Sequence, residues 1–345
     1  MNALNQPPSV EEPPLQIRLL QMIWGGWVSQ CIHVAAKLGI SDYLQDGPRT
    51  CAEIAEKTGA HQPTLQRLLR ALASFGIFEE TRDGLITLTP LASLLQTGVP
   101  GSLKHAAVMF GEEWHRGAWS HLLKSVQTGQ PAFEQVNNLK FFEFMAMNPE
   151  ISRIFGEAMT SISGDFNEIL AKSYDFGTFK RVVDVGGGHG SLMVTLLKQY
   201  PQVNGVIVDL PPVMEGAKEY VRQAGMADRC ECVAGNFFES VPADGDGYVL
   251  KFIIHDWADE QAVTILRNCR SAMNKGAKLL LMEQVLPPGN EPALGKLSDI
   301  EMLVMLGGKE RTEQEFRQLL ATAGFQLARV VPTQSPLSIL EAVSI

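Results

Sequence analysis

The chain has 345 residues, 45% of them hydrophobic, which is enough for one large domain or two with a real core. Its 29 basic and 38 acidic residues give a net charge of −9, and this diffuse acidity argues against nucleic-acid binding, which needs a concentrated basic face. No apolar stretch approaches the roughly 18–20 residues of a membrane span. The five cysteines lack framework spacing and indicate reduced thiols, so we expect a cytoplasmic protein without membrane association.

The N-terminal segments predict a tail and a long helix. Residues 1–14 are rich in proline and glutamate, have no basic or apolar signal region, and predict a disordered tail. From Leu15 to about Ile40 the sequence reads as one helix that is apolar nearly all round. A second subunit can bury such a surface, so we expect a homodimer that forms through the N-terminal domain.

Two short helices and a β-hairpin follow, and together they predict a winged helix over residues 15–100. Gly59 ends the first helix, Gly76 ends the second, and two strands turn at Asp83–Gly84. A winged helix can bind DNA. Over residues 49–80, however, four basic side chains meet four acidic ones, whereas a helix that reads a DNA groove should be much more basic. We therefore expect this domain to serve dimerisation.

The rest of the chain predicts an α/β fold. Residues 101–170 read as helices rich in Met, Phe and Trp, which we interpret as a linker and acceptor-pocket region, and residues 171–345 alternate strands with helices. That alternation predicts a doubly wound, Rossmann-like parallel sheet, and the short link at Pro332–Pro336 adds one reversed edge strand. The predicted strands are Arg181–Val185, Gly205–Asp209, Cys230–Ala234, Gly247–Phe252, Ala277–Glu283, Leu327–Val331 and Leu337–Val343.

A glycine-rich turn follows the first of these strands, in VVDVGGGHG. A dinucleotide fingerprint counted from Gly186 would need glycine at position 191, which holds Ser191. The spacing acid-x-Gly-x-Gly-x-Gly, from Asp184 to Gly190, is instead the pattern of S-adenosylmethionine (SAM) sites. The second strand ends in Asp209, whose carboxylate suits ribose hydroxyls.

A histidine follows the fourth strand, in KFIIHDW, and so lies at the mouth of the ligand crevice. A phenol has a pKa near 10 and is only about 0.1% ionised at neutral pH, so a methyl acceptor of this kind needs a base. His255 can supply it. Glu283 ends the next strand, and Glu310 lies in GGKERTEQEF; both are candidates to orient the imidazole, although Glu310 beside Lys309 and Arg311 also fits a solvated salt bridge.

Taken together, VVDVGGGHG, VIVDLP, GNFF, LKFIIHDWADE and GGKERTEQEF resemble, in the same order, the small-molecule O-methyltransferase family. This family includes the plant caffeate, flavonoid and isoflavone enzymes, hydroxyindole O-methyltransferase and bacterial polyketide O-methyltransferases. The winged helix belongs to it too, so the resemblance covers nearly the whole chain. It implies SAM-dependent methylation of a phenolic or enolic hydroxyl on a small secondary-metabolite acceptor.

The resemblance also implies roles for individual residues. His255 matches the general base, and Glu283 and Glu310 match the two flanking acids. The predicted cofactor contacts are Ser163, Asp184, Gly186, Asp209, Leu210, Asn236, Phe237, Lys251 and Trp257. The predicted acceptor-pocket residues are Phe155, Met159 and Met302. Asn236 departs from the family, which usually has an aspartate that reads the adenine amine; the asparagine oxygen can accept the same bond, or the residue only shapes its turn.

Alternative functions remain at this point. A SAM-binding relative could carry out C- or N-methylation, or chemistry other than methyl transfer. A ligand-sensing DNA-binding protein could be built on the winged helix, and a dehydrogenase is disfavoured by the incomplete fingerprint. We expect no metal, because metal-assisted methylation needs an acid-rich cluster of oxygen ligands and this crevice offers a histidine instead.

Overall fold

The computed structural model describes residues 13–345, with the side chains of all but Gly164 and Asp165. The predicted tail, residues 1–14, lies outside the described residues except for its last two. The chain divides into two compact units, one ending at Glu112 and the other spanning Glu113–Ile345. All five cysteines are free thiols. None of the described helices has the length and apolar character needed to cross a bilayer.

The first unit contains the predicted winged helix. Its elements are α1 (Leu15–Lys37), α2 (Ile40–Tyr43), β1 (Arg49–Thr50), α3 (Cys51–Thr58), α4 (Gln62–Ser74), β2 (Phe78–Glu80), β3 (Leu85–Leu88), α5 (Pro90–Ser93) and α6 (Lys104–Gly111). The strands form an antiparallel sheet in the order β1-β3-β2. Thr50 and Glu53 form a capping box that starts α3, and Gly59 ends it in the left-handed conformation, as its sequence predicts.

The two halves of α1 have different surroundings within this unit. The C-terminal half packs on α6, where His33 Nδ1 lies 2.9 Å from the carbonyl oxygen of Val108. A Cβ atom at Gly111 would lie 2.0 Å from His33 Cγ, so only glycine allows this approach. The N-terminal half exposes large apolar side chains, namely Leu15, Ile17, Leu19, Met22, Ile23, Trp24 and Trp27. An exposed apolar helix of this kind is typical of an interface.

The second unit begins with five helices and continues as an α/β domain. The helices are α7 (Glu113–Trp119), α8 (Leu122–Thr128), α9 (Ala132–Asn137), α10 (Phe141–Met147) and α11 (Pro149–Ser173). The strands are β4 (Arg181–Val185), β5 (Asn204–Asp209), β6 (Cys230–Ala234), β7 (Gly247–Lys251), β8 (Lys278–Leu286), β9 (Arg311–Thr312), β10 (Phe325–Pro332) and β11 (Leu337–Ser344). Between them lie α12 (Ser191–Gln199), α13 (Pro211–Gln223), α14 (Asp259–Ala272), α15 (Gly295–Met305) and α16 (Glu313–Thr322).

The main sheet has the order β10-β11-β8-β7-β4-β5-β6, with β9 paired to β8. The pairs from β8 to β6 are parallel, and β11 is antiparallel to both its neighbours, so the predicted α/β fold is confirmed. The reversed strand lies one place in from the edge and not at the edge itself. The reason is burial: β11 is buried on both faces along most of its length, whereas β10 alternates buried with exposed residues and suits the edge.

The carboxyl ends of the parallel strands carry several of the residues that the sequence analysis predicts for the site. Asp209 ends β5, and Lys251 ends β7 one residue earlier than the sequence predicts. Phe252 cannot continue the strand because its φ is +55°, and a 3₁₀ turn over Ile254–Asp256 follows. His255 is thereby presented directly beyond the strand end.

Candidate active site

The glycine-rich turn after β4 exposes bare backbone. Gly186, Gly188 and Gly190 all have positive φ, which side-chain-bearing residues rarely adopt. A Cβ atom at Gly186 would lie 2.5 Å from the Ile253 side chain, so glycine is needed there for packing. At Gly188 nothing lies within 4 Å of the same point, so the space over this part of the turn is open. A ligand can therefore approach the backbone closely.

Asp209 lies beside this turn and is held by backbone donors. Its Oδ2 accepts a hydrogen bond of 2.9 Å from the Gly188 N–H, and its Oδ1 accepts one of 2.7 Å from the Leu210 N–H. Burial raises the pKa of Asp209, and these two donors act against that rise. Leu210, at the start of α13, is 44% exposed. The carboxylate is thus fixed at the crevice between the glycine turn and α13.

A second set of polar residues lies under the same turn; we call Asn167, Asp184, Ser191 and Lys251 the lysine cluster. Lys251 Nζ donates to Asn167 Oδ1 at 2.6 Å, and Asn167 Nδ2 donates to Ser191 Oγ at 3.1 Å. Burial lowers the pKa of Lys251 to about 8 and raises the pKa of Asp184 to about 7, while each opposes the shift of the other by its charge. Asp184 Oδ2 is buried without a hydrogen-bond partner among the described residues.

Helix α11 connects the two ends of the crevice. Phe155, Met159, Ser163 and Asn167 are spaced four residues apart and therefore lie on one stripe of the helix. Asn167 belongs to the lysine cluster at one end. At the other end the Phe155 ring contacts the Phe141 ring, with centroids 5.1 Å apart. This places two predicted pocket residues, Phe155 and Met159, and the predicted cofactor contact Ser163 along one face of α11.

Four titratable side chains surround the end of β7; we call His255, Asp256, Glu283 and Glu310 the proton cluster. His255 Nδ1 lies 2.9 Å from Glu310 Oε1 and 3.9 Å from Glu283 Oε2, and its Nε2 lies 3.4 Å from Asp256 Oδ1. Glu283 Oε1 accepts hydrogen bonds from the N–H groups of Ile253 and Ile254, at 3.1 and 2.8 Å. The structure thus brings together the three residues predicted as base and flanking acids.

The proton cluster holds its charges in a buried setting. Burial alone would lower the pKa of His255, but the surrounding carboxylates, led by Glu283, outweigh it and raise this pKa to about 10. Burial raises the pKa of Glu283 to about 7 and that of Asp256 to about 6, against the opposing effect of His255. Glu310 is 2% exposed, so the solvated salt bridge considered for it is wrong. The carboxylates around the imidazole thus favour its protonated form.

Further residues fix this cluster in place, and the sequence alone did not single them out. Gln284 and Ser298 each donate to Glu310 Oε1, at 3.1 and 2.7 Å. Arg311 is fully buried and donates to the carbonyl oxygens on both sides of His255, at Ile254 (3.0 Å) and Trp257 (2.8 Å). No local signal in the sequence indicates the burial of Arg311, because arginine beside glutamate usually predicts a solvated pair.

Phe252 is a second unpredicted feature of the site. Its ring stacks on the His255 imidazole with centroids 5.2 Å apart and an interplanar angle of 29°. The same residue has the strained φ of +55°, a conformation that costs free energy in a residue with a bulky side chain and that persists only where the surroundings enforce it.

Aromatic rings line the adjoining surface. The Trp257 ring stacks on Phe142 at 5.6 Å and meets Phe238 and Phe237 edge-on at 4.7 and 6.1 Å. Asn236 begins the preceding turn: its Oδ1 accepts from the Phe238 N–H at 3.0 Å and its Nδ2 donates to Glu239 at 3.1 Å. Met302, on α15, is 9% exposed.

The proton cluster also has the composition of a metal site. Ligand atoms of His255, Glu283 and Glu310 lie within 4.8 Å of one another. The reasoning that the crevice lacks an acid-rich cluster is therefore wrong, because three carboxylates surround the histidine. Glu310 Oε1 and Glu283 Oε1 accept hydrogen bonds from the protein, whereas Oε2 of each glutamate is buried without a hydrogen-bond partner among the described residues.

Comparison with known proteins identifies the family. Residues 119–326 match the O-methyltransferase domain and residues 20–98 match the O-methyltransferase dimerisation domain. The chain belongs to the O-methyltransferase family. It is 48% identical to a phenazine O-methyltransferase of Lysobacter antibioticus. The 329 aligned residues cover 95% of this chain and 96% of the relative. A phenazine-1-carboxylate N-methyltransferase of Pseudomonas aeruginosa is 31% identical over 314 residues, which is 91% of this chain and 92% of the relative.

Solved structures of O-methyltransferases agree with this assignment. The crystal structure of LaPhzM superimposes with a TM-score of 0.93 at 47% identity, covering 96% of this chain and all of that one. The structure of NcsB1, an O-methyltransferase from neocarzinostatin biosynthesis bound to SAM and 2-hydroxy-5-methyl naphthoic acid, gives a TM-score of 0.81 at 33% identity, covering 92% and 96%.

The methyl donor of this O-methyltransferase is SAM, and the residues present fit it. Open space lies over Gly188, and a fixed carboxylate, Asp209, stands beside it. The unpartnered, buried Asp184 Oδ2 suits a cationic group. The chain has no complete dinucleotide fingerprint to suggest another occupant of this crevice.

Proposed function

We propose that this enzyme transfers a methyl group to a phenolic or enolic hydroxyl of a planar aromatic small molecule, with His255 as the general base. The observation that carries the proposal is the imidazole at the end of β7, anchored through Nδ1 on Glu310 at 2.9 Å. SAM supplies an activated methyl group on a sulfonium. What the protein must add is removal of the hydroxyl proton and alignment of the acceptor oxygen.

The anchoring of Nδ1 decides which nitrogen takes the proton. Two carboxylates, Glu310 and Glu283, face Nδ1, so in the neutral imidazole the hydrogen stays on that nitrogen. Nε2 is then the basic atom. When it takes the hydroxyl proton, the new positive charge is stabilised by carboxylates already in place.

The pKa of His255 fits a phenolic acceptor. It is raised to about 10, which is close to the ordinary pKa of a phenol, so this imidazole is a stronger base toward a phenol than an ordinary histidine. The protonated imidazole beside a bound phenolate and the neutral imidazole beside a bound phenol contain the same number of protons. Both therefore lead to the same attacking oxygen anion.

The acceptor surface supports a flat aromatic substrate. Rings of Trp114, Phe141 and Phe155 form a continuous chain, with centroids 6.2 and 5.1 Å apart. The relative from Lysobacter antibioticus is named for a phenazine, which has this shape. We therefore propose hydroxylated fused-ring aromatics as the first acceptors to try.

An N-methyltransferase among the relatives makes N-methylation the main alternative. A ring nitrogen carries no proton to remove, so it needs no base, whereas this chain keeps an imidazole surrounded by three carboxylates. The cluster thus favours O-methylation over N-methylation.

The test is an assay with isotope-labelled SAM on phenazin-1-ol and on phenazine-1-carboxylate. We expect labelled methyl on the oxygen of phenazin-1-ol, identified by mass spectrometry and NMR of the product. Labelling of a ring nitrogen of either compound, with none on oxygen, would overturn the proposal. The same reactions with EDTA test the role of metal: we expect unchanged rates, and a loss restored by Mg²⁺ would bring a metal into the mechanism.

We also propose that the winged-helix unit holds a homodimer and does not bind nucleic acid. The match to the family's dimerisation domain and the exposed apolar half of α1 support this. The free thiols support the expected cytoplasmic location. Light scattering should give the mass of a dimer, and a salt-sensitive shift of duplex DNA in a gel would contradict the proposal.

A further inference from the structure

A second histidine–carboxylate contact lies outside the proton cluster, between α7 and α15. Glu301 Oε1 lies 2.7 Å from His115 Nε2, and Trp119 Nε1 donates to Glu301 Oε2. His115 is 5% exposed and the Glu301 side chain 20%. Burying a carboxylate is costly unless it is paired, so a group placed here has a structural or functional reason.

Helix α15 joins this pair to the proton cluster. Ser298, which donates to Glu310 Oε1 at 2.7 Å, precedes Glu301 by three residues, so the two side chains lie on the same face. Glu301 is therefore about one helical turn, roughly 5 Å, further along α15 than the residue that touches the His255 anchor. Its neighbour Met302 is a predicted pocket residue.

Aromatic side chains surround the pair on the acceptor side. Trp119 and Trp114 pack against the apolar cluster that contains Phe141 and is also contacted by Phe155. Trp114 meets the His115 ring edge-on, with centroids 5.7 Å apart. The Trp114 indole nitrogen is buried without a hydrogen-bond partner among the described residues. A buried N–H group of this kind is expected to have a partner, which here can be a polar atom of a bound molecule.

Within the part of the chain that the structure describes, His115 and Trp119 leave some of the hydrogen-bonding capacity of Glu301 unused. A carboxylate offers about four acceptor positions, and the contacts to His115 and Trp119 use two of them. The remaining exposure of the side chain leaves the others accessible. Because the carboxylate is fixed by two donors, it can accept a hydrogen bond from a ligand without further loss of side-chain freedom.

We propose that Glu301 anchors the acceptor by accepting a hydrogen bond from a second O–H or N–H group, on the part of the molecule remote from the methylated hydroxyl. This inference rests on the proposed function and narrows the substrate class to aromatics that carry two donors, such as dihydroxy- or aminohydroxy-compounds. His115 and Trp119 are positioning residues that hold the carboxylate.

The test compares two acceptors that differ by one donor, phenazine-1,6-diol and phenazin-1-ol, in the wild type and in Glu301→Leu. The measured quantity is the ratio of kcat/KM for the diol to kcat/KM for the mono-ol. We expect the wild type to prefer the diol at least about fivefold and Glu301→Leu to lose most of that preference through a higher KM, since hydrogen bonds to charged groups are the stronger ones. Glu301→Gln keeps one acceptor oxygen, so its ratio should lie between those of the wild type and Glu301→Leu.

Matched controls separate recognition from folding. Glu143→Leu makes the same chemical change at an exposed position of α10 and should leave both acceptors unaffected. Melting temperature and affinity for S-adenosylhomocysteine report the fold and the donor side. Should Glu301→Leu fail to fold, Glu301→Gln carries the comparison.

The possible outcomes distinguish a failure of the role of Glu301 from a failure of the proposed function. A ratio unchanged in folded Glu301 variants, or a wild type without preference for the diol, overturns the role of Glu301 and leaves O-methylation standing. An equal fall in kcat/KM on both acceptors, together with a lower melting temperature, shows a structural pair only and also overturns it. Methylation of neither compound by the wild type overturns the proposed acceptor class itself.

Discussion

The proton cluster and the lysine cluster lie at neighbouring strand ends but hold charge in opposite ways. The lysine cluster pairs one cation, Lys251, with one carboxylate, Asp184, and adds two neutral hydrogen-bonding side chains. The proton cluster surrounds one imidazole with three carboxylates. The first arrangement is electrically balanced, whereas the second has more carboxylates than cations around a histidine whose pKa is raised to about 10.

This difference separates the two tasks of the site. On the acceptor side a proton must leave a hydroxyl, so the side chains there need to exchange protons at working pH. On the donor side no proton moves, and the side chains need only hold a ligand in one position. Variants on the two sides should therefore change different measured quantities, which makes the comparison testable.

The largest expected effect is on the acceptor side. His255→Ala removes the base, and we expect turnover to fall on the order of 10²–10⁴-fold, the usual contribution of general-base catalysis. The reaction should recover in part at high pH, or with a more acidic phenol, because the acceptor then ionises without help. Steady-state kinetics over a range of pH measure both effects.

The affinity of His255→Ala for S-adenosylhomocysteine serves as its control. We expect calorimetry to give a value close to that of the wild type, since the donor side is left intact. Near-normal turnover at neutral pH would show that His255 is not the base.

On the donor side, Asp209→Ala should weaken SAM binding at least tenfold. Its carboxylate is predicted to accept bonds from the ribose hydroxyls, and charge-assisted hydrogen bonds contribute about 1.5–3 kcal/mol each. The variant also removes the acceptor for the Gly188 N–H, so the glycine turn becomes less fixed. Calorimetry with SAM measures the loss, and an unchanged affinity would exclude Asp209 from the site.

A smaller change should shift the pH dependence of the acceptor side. The carboxylate of Glu310 helps to raise the pKa of His255 to about 10, so Glu310→Gln should lower that pKa. Only the neutral imidazole can take a proton. The activity therefore rises with pH until the pH exceeds the pKa of His255. In Glu310→Gln this rise should occur at lower pH, with kcat reduced about five- to tenfold because the base is weaker.

The donor-side variant supplies the contrast. In Asp209→Ala the rise of kcat with pH should stay where it is in the wild type, since that residue does not touch the proton cluster. A shift of equal size in both variants would contradict the division into two sides.

Much of the fold could be predicted because its signals are local. Glycines at helix ends, the turn at Asp83–Gly84 and the alternation of strands and helices identify most elements to within a few residues. The position of β11 between β8 and β10 could not be read in this way, because it depends on which of two apolar strands buries both faces. That is a property of the packed sheet.

The site was predictable where the chemistry of the reaction requires one residue type at the end of one strand. His255, Glu283 and Glu310 come together as expected. The sequence could not show that Arg311 is fully buried, or that Phe252 adopts φ of +55° and stacks on the imidazole. Both depend on contacts between segments far apart in the chain, and the usual preferences of these residue types argue against them.

The smallest expected effect concerns Asn236, the position where this chain departs from the family's usual aspartate on the donor side. The Asn236 Oδ1 accepts from the Phe238 N–H at 3.0 Å, and Nδ2 donates to Glu239 at 3.1 Å, so the side chain already has a task within its own turn. We expect Asn236→Ala to lower the melting temperature by about 2–4 °C and to change SAM affinity by about threefold or less. Asn236→Asp should also destabilise the turn, because a second carboxylate would face Glu239. Glu239→Ala, which removes the partner without touching any predicted cofactor contact, should reproduce the loss of melting temperature alone. If instead Asn236→Ala loses about tenfold in SAM affinity at an unchanged melting temperature, while Asn236→Asp binds as tightly as the wild type, the side chain reads the adenine amine and belongs to the donor side after all.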